Sequence, residues 1–107
     1  MYSIYYNLFS KNKFKKCHDA EITEELSEAL NMLDMLEVEE DSISIFIEKI
    51  FSRVKVRMQN DEYYFQIHIT NGLYEGYFEK ERVRELIRNL DQLSKEPEKY
   101  GLKAGDF

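Results

Sequence analysis

The sequence predicts an α+β fold: an antiparallel β-meander with two helices packed on one face, which makes two layers. Two periodicities predict it. Apolar residues alternate with polar ones over several short segments, as in half-buried strands, and they recur at spacings of three and four over two longer segments, as in amphipathic helices. The dipeptide Asn71-Gly72 is a strong hairpin signal between two alternating segments. The predicted order is β-α-β-β-β-β-α in a single domain, residues 1–107, a length typical of one domain.

The first predicted strand covers residues 2–9, and a basic, polar loop over residues 10–18 follows it. The apolar face of this strand consists of Tyr2, Ile4, Tyr6 and Leu8. Because a helix separates the strand from the other four, the sequence does not choose the edge of the meander that it joins.

A first helix is predicted over residues 21–37, with Asp19 and Thr23 as candidate N-terminal caps. The apolar stripe of this helix consists of Ile22, Leu26, Ala29, Leu30, Leu33 and Leu36. Its early carboxylates favour the positive end of the helix dipole. An acidic turn over residues 39–41 follows.

The meander is predicted from Ser42 onward, with later strands at residues 53–59, 62–70 and 73–79. The turn at 60–61 would pair Met58 with Tyr63, Val56 with Phe65 and Val54 with Ile67, and the turn at 71–72 would pair Ile69 with Tyr74, Ile67 with Gly76 and Phe65 with Phe78. Both turns place Phe65 and Ile67 on one apolar face, and a slip of one residue in either hairpin would break that agreement. Gly76 falls on this inner face, where the missing side chain would let a helix approach.

The last predicted helix covers residues 80–95 and stops before Pro97. Its buried side is formed by Val83, Leu86, Ile87, Leu90, Leu93 and Ser94. Residues 97–107 are expected to form a loosely ordered tail, in which Tyr100, Leu102 and Phe107 are candidates for docking on the core.

The formal net charge of −6 disfavours non-specific binding to nucleic acid and to anionic membranes, since both attract positive charge. The single cysteine, Cys17, excludes an internal disulfide. The N-terminus lacks the basic and then apolar pattern of a signal peptide, and no apolar run is long enough to span a bilayer, so we expect a cytoplasmic protein.

Charge is segregated along the chain. Residues 19–48 contain no Lys or Arg, and their carboxylates are Asp19, Glu21, Glu24, Glu25, Glu28, Asp34, Glu37, Glu39, Glu40, Asp41 and Glu48. We predict an acidic surface that binds a basic protein partner, as in a small non-enzymatic inhibitor or immunity-type protein that blocks a nucleic-acid-handling enzyme. The predicted contact residues are Glu21, Glu24, Glu28, Met35, Glu39, Glu40 and Asp41. The alternative is a solvated helix face, partly neutralised by the lysines of residues 11–16.

A second candidate surface is the outer face of the sheet, where basic side chains alternate outward beside aromatic rings. Its residues are Arg53, Lys55, Arg57, Tyr64 and His68. This pattern can hold single-stranded nucleic acid, because cations contact phosphates and rings stack on bases. An ordinary solvated sheet face is the simpler interpretation, and a homodimer interface through the sheet face or an edge strand is a third.

No residue pattern indicates catalysis, so we predict a protein that is not an enzyme and needs no cofactor. Cys17 and His18 are adjacent in sequence, and their side chains tend to diverge rather than form a nucleophile–base pair. The same residues with Asp19 lack metal-ligand spacing, and residues 39–41 lack the pattern of a calcium loop.

Overall fold

The computed structural model describes residues 1–105, apart from the side chain of Cys17, and confirms the α+β fold. Within that range an eight-stranded antiparallel sheet carries three α-helices on one face. The strands are β1 (Tyr2–Leu8), β2 (Lys13–Lys15), β3 (Ile22–Thr23), β4 (Ser42–Ile47), β5 (Ser52–Gln59), β6 (Glu62–Ile69), β7 (Gly72–Phe78) and β8 (Lys103–Ala104). The helices are α1 (Ser27–Leu33), α2 (Lys80–Arg88) and α3 (Leu90–Lys95). None of the helices in the described range is long and apolar enough to cross a membrane.

The strand order is β2-β1-β4-β5-β6-β7-β8, and β3 also pairs with β1. The first strand therefore joins the meander beside β4, a choice that the sequence left open. The short strands β2 and β3 cover the other side of β1, and β8 covers part of β7. Short or interrupted edge strands limit unwanted pairing with other chains, because few backbone groups are left in a continuous row.

The core lies between the inner face of the sheet and the helices. Residues that alternate inward along the central strands are almost fully buried: Ile4, Leu8, Ile43, Ile45, Val54, Val56, Phe65 and Ile67. Helix α1 packs on β1 and β4, and α2 packs on β6. These helices contribute the buried side chains Ala29, Leu33, Val83, Leu86 and Ile87. Each large apolar side chain buried here contributes roughly 1.5–3 kcal/mol.

The first helix is shorter than the sequence predicts, since it covers Ser27–Leu33 and not residues 21–37. Ile22 and Thr23 form β3 instead, opposite Ser3 and Tyr2. Both residues are β-branched, and the free backbone groups of β1 offer them hydrogen bonds that a helix start would leave unmade. Neither predicted cap is used, because the N-cap position is Leu26 and makes no side-chain hydrogen bond.

The loop predicted over residues 10–18 contains a further strand, β2, opposite Tyr6, Asn7 and Leu8. The last predicted helix divides at Asn89 into α2 and α3. The side-chain amide of Asn89 donates to the carbonyl of Glu85 (2.8 Å), so the side chain competes with the backbone there. The apolar residues predicted to line this helix are still buried, because both halves face the sheet.

The β5–β6 hairpin has the predicted register, with Val56 opposite Phe65. Its turn residues, Asn60 and Asp61, have φ values of 52° and 67°. Positive φ at both central positions is the type I′ geometry that matches the twist of a hairpin.

The predicted β6–β7 register is wrong by two residues. Ile69 pairs with Gly72 rather than with Tyr74, because the turn is formed by Thr70 and Asn71. A shift of two keeps every side chain on its predicted face. Phe65 now lies opposite Gly76, and the ring of Phe78 rather than a helix closes over this glycine. A Cβ at Gly76 would lie only 2.7 Å from the Phe78 ring, so the position requires glycine unless the ring moves.

The segment after α3 makes defined contacts over residues 97–105. Pro97 and Leu102 are buried, and Lys103–Ala104 pairs with β7. The guanidinium of Arg82 donates to the carbonyl of Tyr100 (2.8 Å). The predicted docking of Phe107 lies outside the described residues.

Asp41 connects the first strand, the first helix and β4. It is fully buried, and its carboxylate accepts hydrogen bonds from the hydroxyl and amide of Ser10 (2.5 and 3.0 Å) and from the amides of Glu37 and Val38 (2.9 and 3.2 Å). Burial by itself raises the pKa of Asp41, but these hydrogen bonds outweigh it and lower the pKa to about 2.

Asp41→Asn should lower the free energy of unfolding by about 2 kcal/mol at pH 7, because the folded state makes hydrogen bonds to the charged carboxylate that the unfolded chain lacks. The folded pKa lies below the unfolded one, so this contribution is complete above about pH 5 and is lost as the pH falls towards 2. Urea unfolding at several pH values should show that the free energy of unfolding of the variant falls less steeply than that of the wild type as the pH drops below about 5. Glu40→Gln, at a neighbouring exposed carboxylate, is the control and should change stability by less than about 0.5 kcal/mol. Equal acid sensitivity of Asp41→Asn and the wild type would contradict this role.

Candidate functional site

The predicted acidic surface is divided into two separate parts. Ile22 pairs with Ser3, which places residues 21–25 near the start of β1. Ser42 pairs with Asn7, which places residues 39–41 near its other end. Ser3 and Asn7 are four positions apart along the strand, a distance of about 13 Å. A partner that contacts both parts would have to span the end of β1 and its covering strands.

Two carboxylates of residues 19–48 form ion pairs with the basic loop, and one of them, Glu28, is a predicted contact residue. Glu28 forms an ion pair with Lys15 (2.7 Å), and Glu37 forms one with Lys11 (2.5 Å). The predicted neutralisation by the basic loop is therefore present. Pairs this exposed contribute only about 0–1 kcal/mol each, but they remove charge from the surface that a partner would meet.

Two further members of the predicted set do not belong to an exposed acidic surface. Asp41 is buried at the junction described above, so a partner cannot reach it. Met35 is half-buried and packs against the core, so it is not the exposed apolar anchor that the helical wheel indicated. The wheel failed because α1 ends at Leu33, and the chain turns before Met35.

The carboxylates that stay exposed lie outside the helix. Those that also have no ion-pair partner among the described residues are Glu21, Glu24, Glu25, Glu39 and Glu40. Within residues 1–105, no Lys or Arg lies within ion-pair distance of these five. Like charges left unpaired at a surface favour a partner of opposite charge.

The basic and aromatic positions on the outer sheet face have the predicted neighbours. Arg53 lies opposite His68, Lys55 opposite Gln66, and Arg57 opposite Tyr64. Arg53, Lys55 and His68 are exposed, whereas Arg57 is half-buried. None of the three helices described within residues 1–105 covers this face, since all three pack on the inner side.

Tyr64 is held in a cluster of side chains and is not a free stacking platform. Its hydroxyl donates to Glu75 (2.9 Å) and accepts from Gln66 (2.9 Å). The guanidinium of Arg57 lies 5.0 Å from the centre of the ring, and the ring of Tyr77 lies 5.3 Å away on the neighbouring strand. Only 8% of Tyr64 is exposed. A base could stack on Tyr77, which is 49% exposed, but not on Tyr64 without displacing its neighbours.

The environment of Tyr64 also fixes its protonation. Burial raises the pKa of its phenol to about 12, and the carboxylate of Glu75 adds to that rise. Tyr64 therefore stays neutral at physiological pH, and its hydroxyl donates a hydrogen bond to Glu75. This cluster of contacts stabilises the outer face.

An apolar cluster lies at one end of the outer face, and we call Ile22, Phe46 and Phe51 the outer apolar cluster. Ile22 is 55% exposed and Phe51 is 84% exposed. The rings of Phe46 and Phe51 pack edge-to-face at 6.2 Å. Ile22 and Phe46 lie on one cross-strand row with Ser3 between them, about 10 Å apart.

Phe51 has a backbone φ of 50°, a left-handed conformation that costs a non-glycine residue about 1–2 kcal/mol. A large exposed ring at a strained position is unusual, and such outliers cluster at functional sites. Sequence reasoning missed the cluster. One signal was available, because Phe46 is the apolar residue among the outward positions of β4.

The described side chains that the sequence analysis considered for chemistry form no metal-binding group. His18 lies beside Asp19 at 3.5 Å, and both are exposed. The side chain of Cys17 is outside what the structure describes. Among the residues it does describe, no three His, Cys, Asp or Glu side chains are grouped to hold a metal ion.

Comparison of the chain with protein-family models, with curated proteins and with solved structures found no match.

Nitration by tetranitromethane should distinguish the two tyrosines of the outer face. The reagent attacks exposed phenolates, and a pKa of about 12 leaves Tyr64 with a phenolate fraction about a hundredfold smaller than that of an ordinary tyrosine. We expect Tyr77 to be nitrated at pH 8 and Tyr64 to be protected, as measured by peptide mass spectrometry. In urea both should react, which is the control. Equal nitration of the two in the folded protein would contradict the side-chain cluster.

Proposed function

We propose that this chain is a small non-enzymatic protein-binding module, of the inhibitor or immunity type, that acts in the cytoplasm on a partner with a basic surface. The observation that carries the proposal is the outer apolar cluster with unpaired carboxylates next to it. Ile22 is exposed between Glu21 and Glu24 along the chain, and Phe51 stands almost fully in solvent. An apolar centre with a charged rim is the usual anatomy of a protein–protein interface.

The chemistry of the partner follows from the two parts of this surface. Burying the Phe51 ring and Ile22 requires an apolar pocket, since aromatic anchors in pockets supply most of the affinity at interfaces. The carboxylates of Glu21, Glu24 and Glu25 favour Lys or Arg around that pocket, and they speed association through long-range attraction. Arg53 lies opposite Phe46 on the other side of the cluster and favours one carboxylate there. A basic enzyme cleft with an apolar recess has this pattern.

The acidic residues at the other end of β1 have a smaller role in this proposal. Glu39 and Glu40 are exposed beside Val38, which is 40% exposed. The exposed rings nearest to this end of β1, Phe9 and Phe14, pack on each other within the lysine-rich stretch of residues 9–16 and so have a basic surrounding. Glu39 and Glu40 contribute to the acidic field that guides a basic partner, whereas the contact itself is assigned to residues 21–25 and the outer apolar cluster.

The test is affinity capture from the native host, identification of the partner by mass spectrometry, and measurement of Kd for the pair with variants. Ile22→Ser/Phe51→Ser removes exposed apolar groups and should weaken binding by about 30-fold or more while leaving the circular dichroism spectrum unchanged. Glu21→Lys/Glu24→Lys should lower the association rate, with a larger effect at low salt.

Glu39→Lys/Glu40→Lys is the matched control, because it changes the net charge by the same amount at the other end of β1. It should slow association less than the Glu21→Lys/Glu24→Lys pair does. A captured partner whose Kd is unchanged by both test variants would refute the proposed surface.

A second candidate function is the binding of single-stranded nucleic acid on the outer sheet face. The exposed cations Arg53 and Lys55, together with the half-exposed ring of Tyr77, support it. The covered ring of Tyr64 and the net charge of −6 count against it. Its test is retention on an immobilised oligothymidylate at about 50 mM salt, where phosphate binding is strong. Retention that is lost in Arg53→Glu/Lys55→Glu would support this function, and no retention of the wild type would exclude it.

A further inference from the structure

An open cavity of about 520 Å³ lies on the helical side of the molecule, between α3 and the ends of β4 and β6. Its volume falls within the range of pockets that bind small molecules. Both the 3-10 turn after β4 and the β6–β7 turn contribute to its wall. Neither the predicted acidic surface nor the outer apolar cluster includes its lining residues.

The lining of this cavity has an apolar side and a charged side. Ile47 and Ile69 continue the inner face of the sheet, and Ile50 is 36% exposed at the cavity. Lys49 and Lys95 also line it, and both are exposed. An isoleucine left exposed next to a recess gains free energy when an apolar group covers it.

The two lysines are not neutralised by the protein. No carboxylate among residues 1–105 lies within ion-pair distance of either Lys49 or Lys95. The one carboxylate in the lining, Asp91, accepts a hydrogen bond from the hydroxyl of Tyr2 (3.0 Å). The local charge of these three side chains is thus positive, in a protein whose net charge is −6.

We propose that the cavity binds a small organic anion that carries an apolar chain, such as an aliphatic carboxylate. The ammonium groups of Lys49 and Lys95 hold the carboxylate, and the chain lies along Ile47, Ile50 and Ile69. A bare inorganic anion would gain little here, because exposed ion pairs in water are weak. An apolar amine would meet two like charges. The combination of a carboxylate with an aliphatic chain is the ligand that satisfies both sides of the cavity.

The test uses butanoate, hexanoate and octanoate as probes of the wild-type protein, by calorimetry and by amide chemical shifts in NMR spectra. Each added CH₂ should tighten binding by about threefold to fourfold until the chain fills the cavity, as expected for burial of a methylene group. Octanoate should bind at least about tenfold more tightly than octanol or octylamine, and the shifts should map to residues 47–52, 69–71 and 91–95.

Lys49→Met/Lys95→Met should remove the preference for octanoate over octanol while keeping the binding of octanol. The matched control is Lys13→Met/Lys55→Met, which removes two exposed lysines that do not line the cavity and should leave the preference unchanged. The proposal is overturned by equal binding of octanoate and octanol to the wild type, by an equal loss in the control variant, by shifts that map elsewhere, or by no binding at about 10 mM probe.

The ligand-binding proposal does not depend on the protein-binding proposal. Glu21→Lys/Glu24→Lys should leave the binding of octanoate unchanged, so either proposal can fail alone.

Discussion

The alternation of side chains between the two faces of the sheet is the constraint on which the rest of the structure depends. Five long strands carry most of their Ile, Val and Phe side chains on one face, and the helices pack there because that face offers the largest apolar area to cover. The opposite face is left to polar, basic and aromatic side chains. Alternation also explains why the β6–β7 register could differ by two residues from the prediction while each side chain kept its predicted face.

Polar interactions decide how the chain enters and leaves this sheet. The carboxylate of Asp41 accepts hydrogen bonds from the amides of Glu37 and Val38, just after α1, and from the amide of Ser10, just after β1. These bonds link the two segments. The ion pairs of Lys11 and Lys15 then hold the basic loop against the acidic segment. Much of the charge segregation seen along the chain is therefore resolved by contacts inside the fold. What stays unpaired is a smaller set of carboxylates in the segments around the helix.

These contacts change the meaning of the acidic stretch. Residues 19–48 do not form one continuous acidic surface, because the two exposed parts of this stretch lie at opposite ends of β1. One part lies beside the outer apolar cluster, where Phe51 holds a strained conformation and is exposed. The combination of charge, apolar area and strain gives that end of the outer face the stronger claim to a partner. The cavity on the helical side is separate and has the opposite local charge.

The sequence by itself determined the α+β class, the face of each residue in the long strands, the β5–β6 turn and the buried side of the last helical segment. These features follow from local periodicity and turn chemistry, which a chain carries before it folds. Only the tertiary structure decided that Ile22 and Thr23 pair with β1 instead of starting a helix, that Asp41 is buried, that Tyr64 is covered, and that Phe51 is exposed. Each of those outcomes depends on groups from distant parts of the chain, such as backbone donors, aromatic rings or cations. A local sequence pattern does not show which of these groups will lie nearby in the fold.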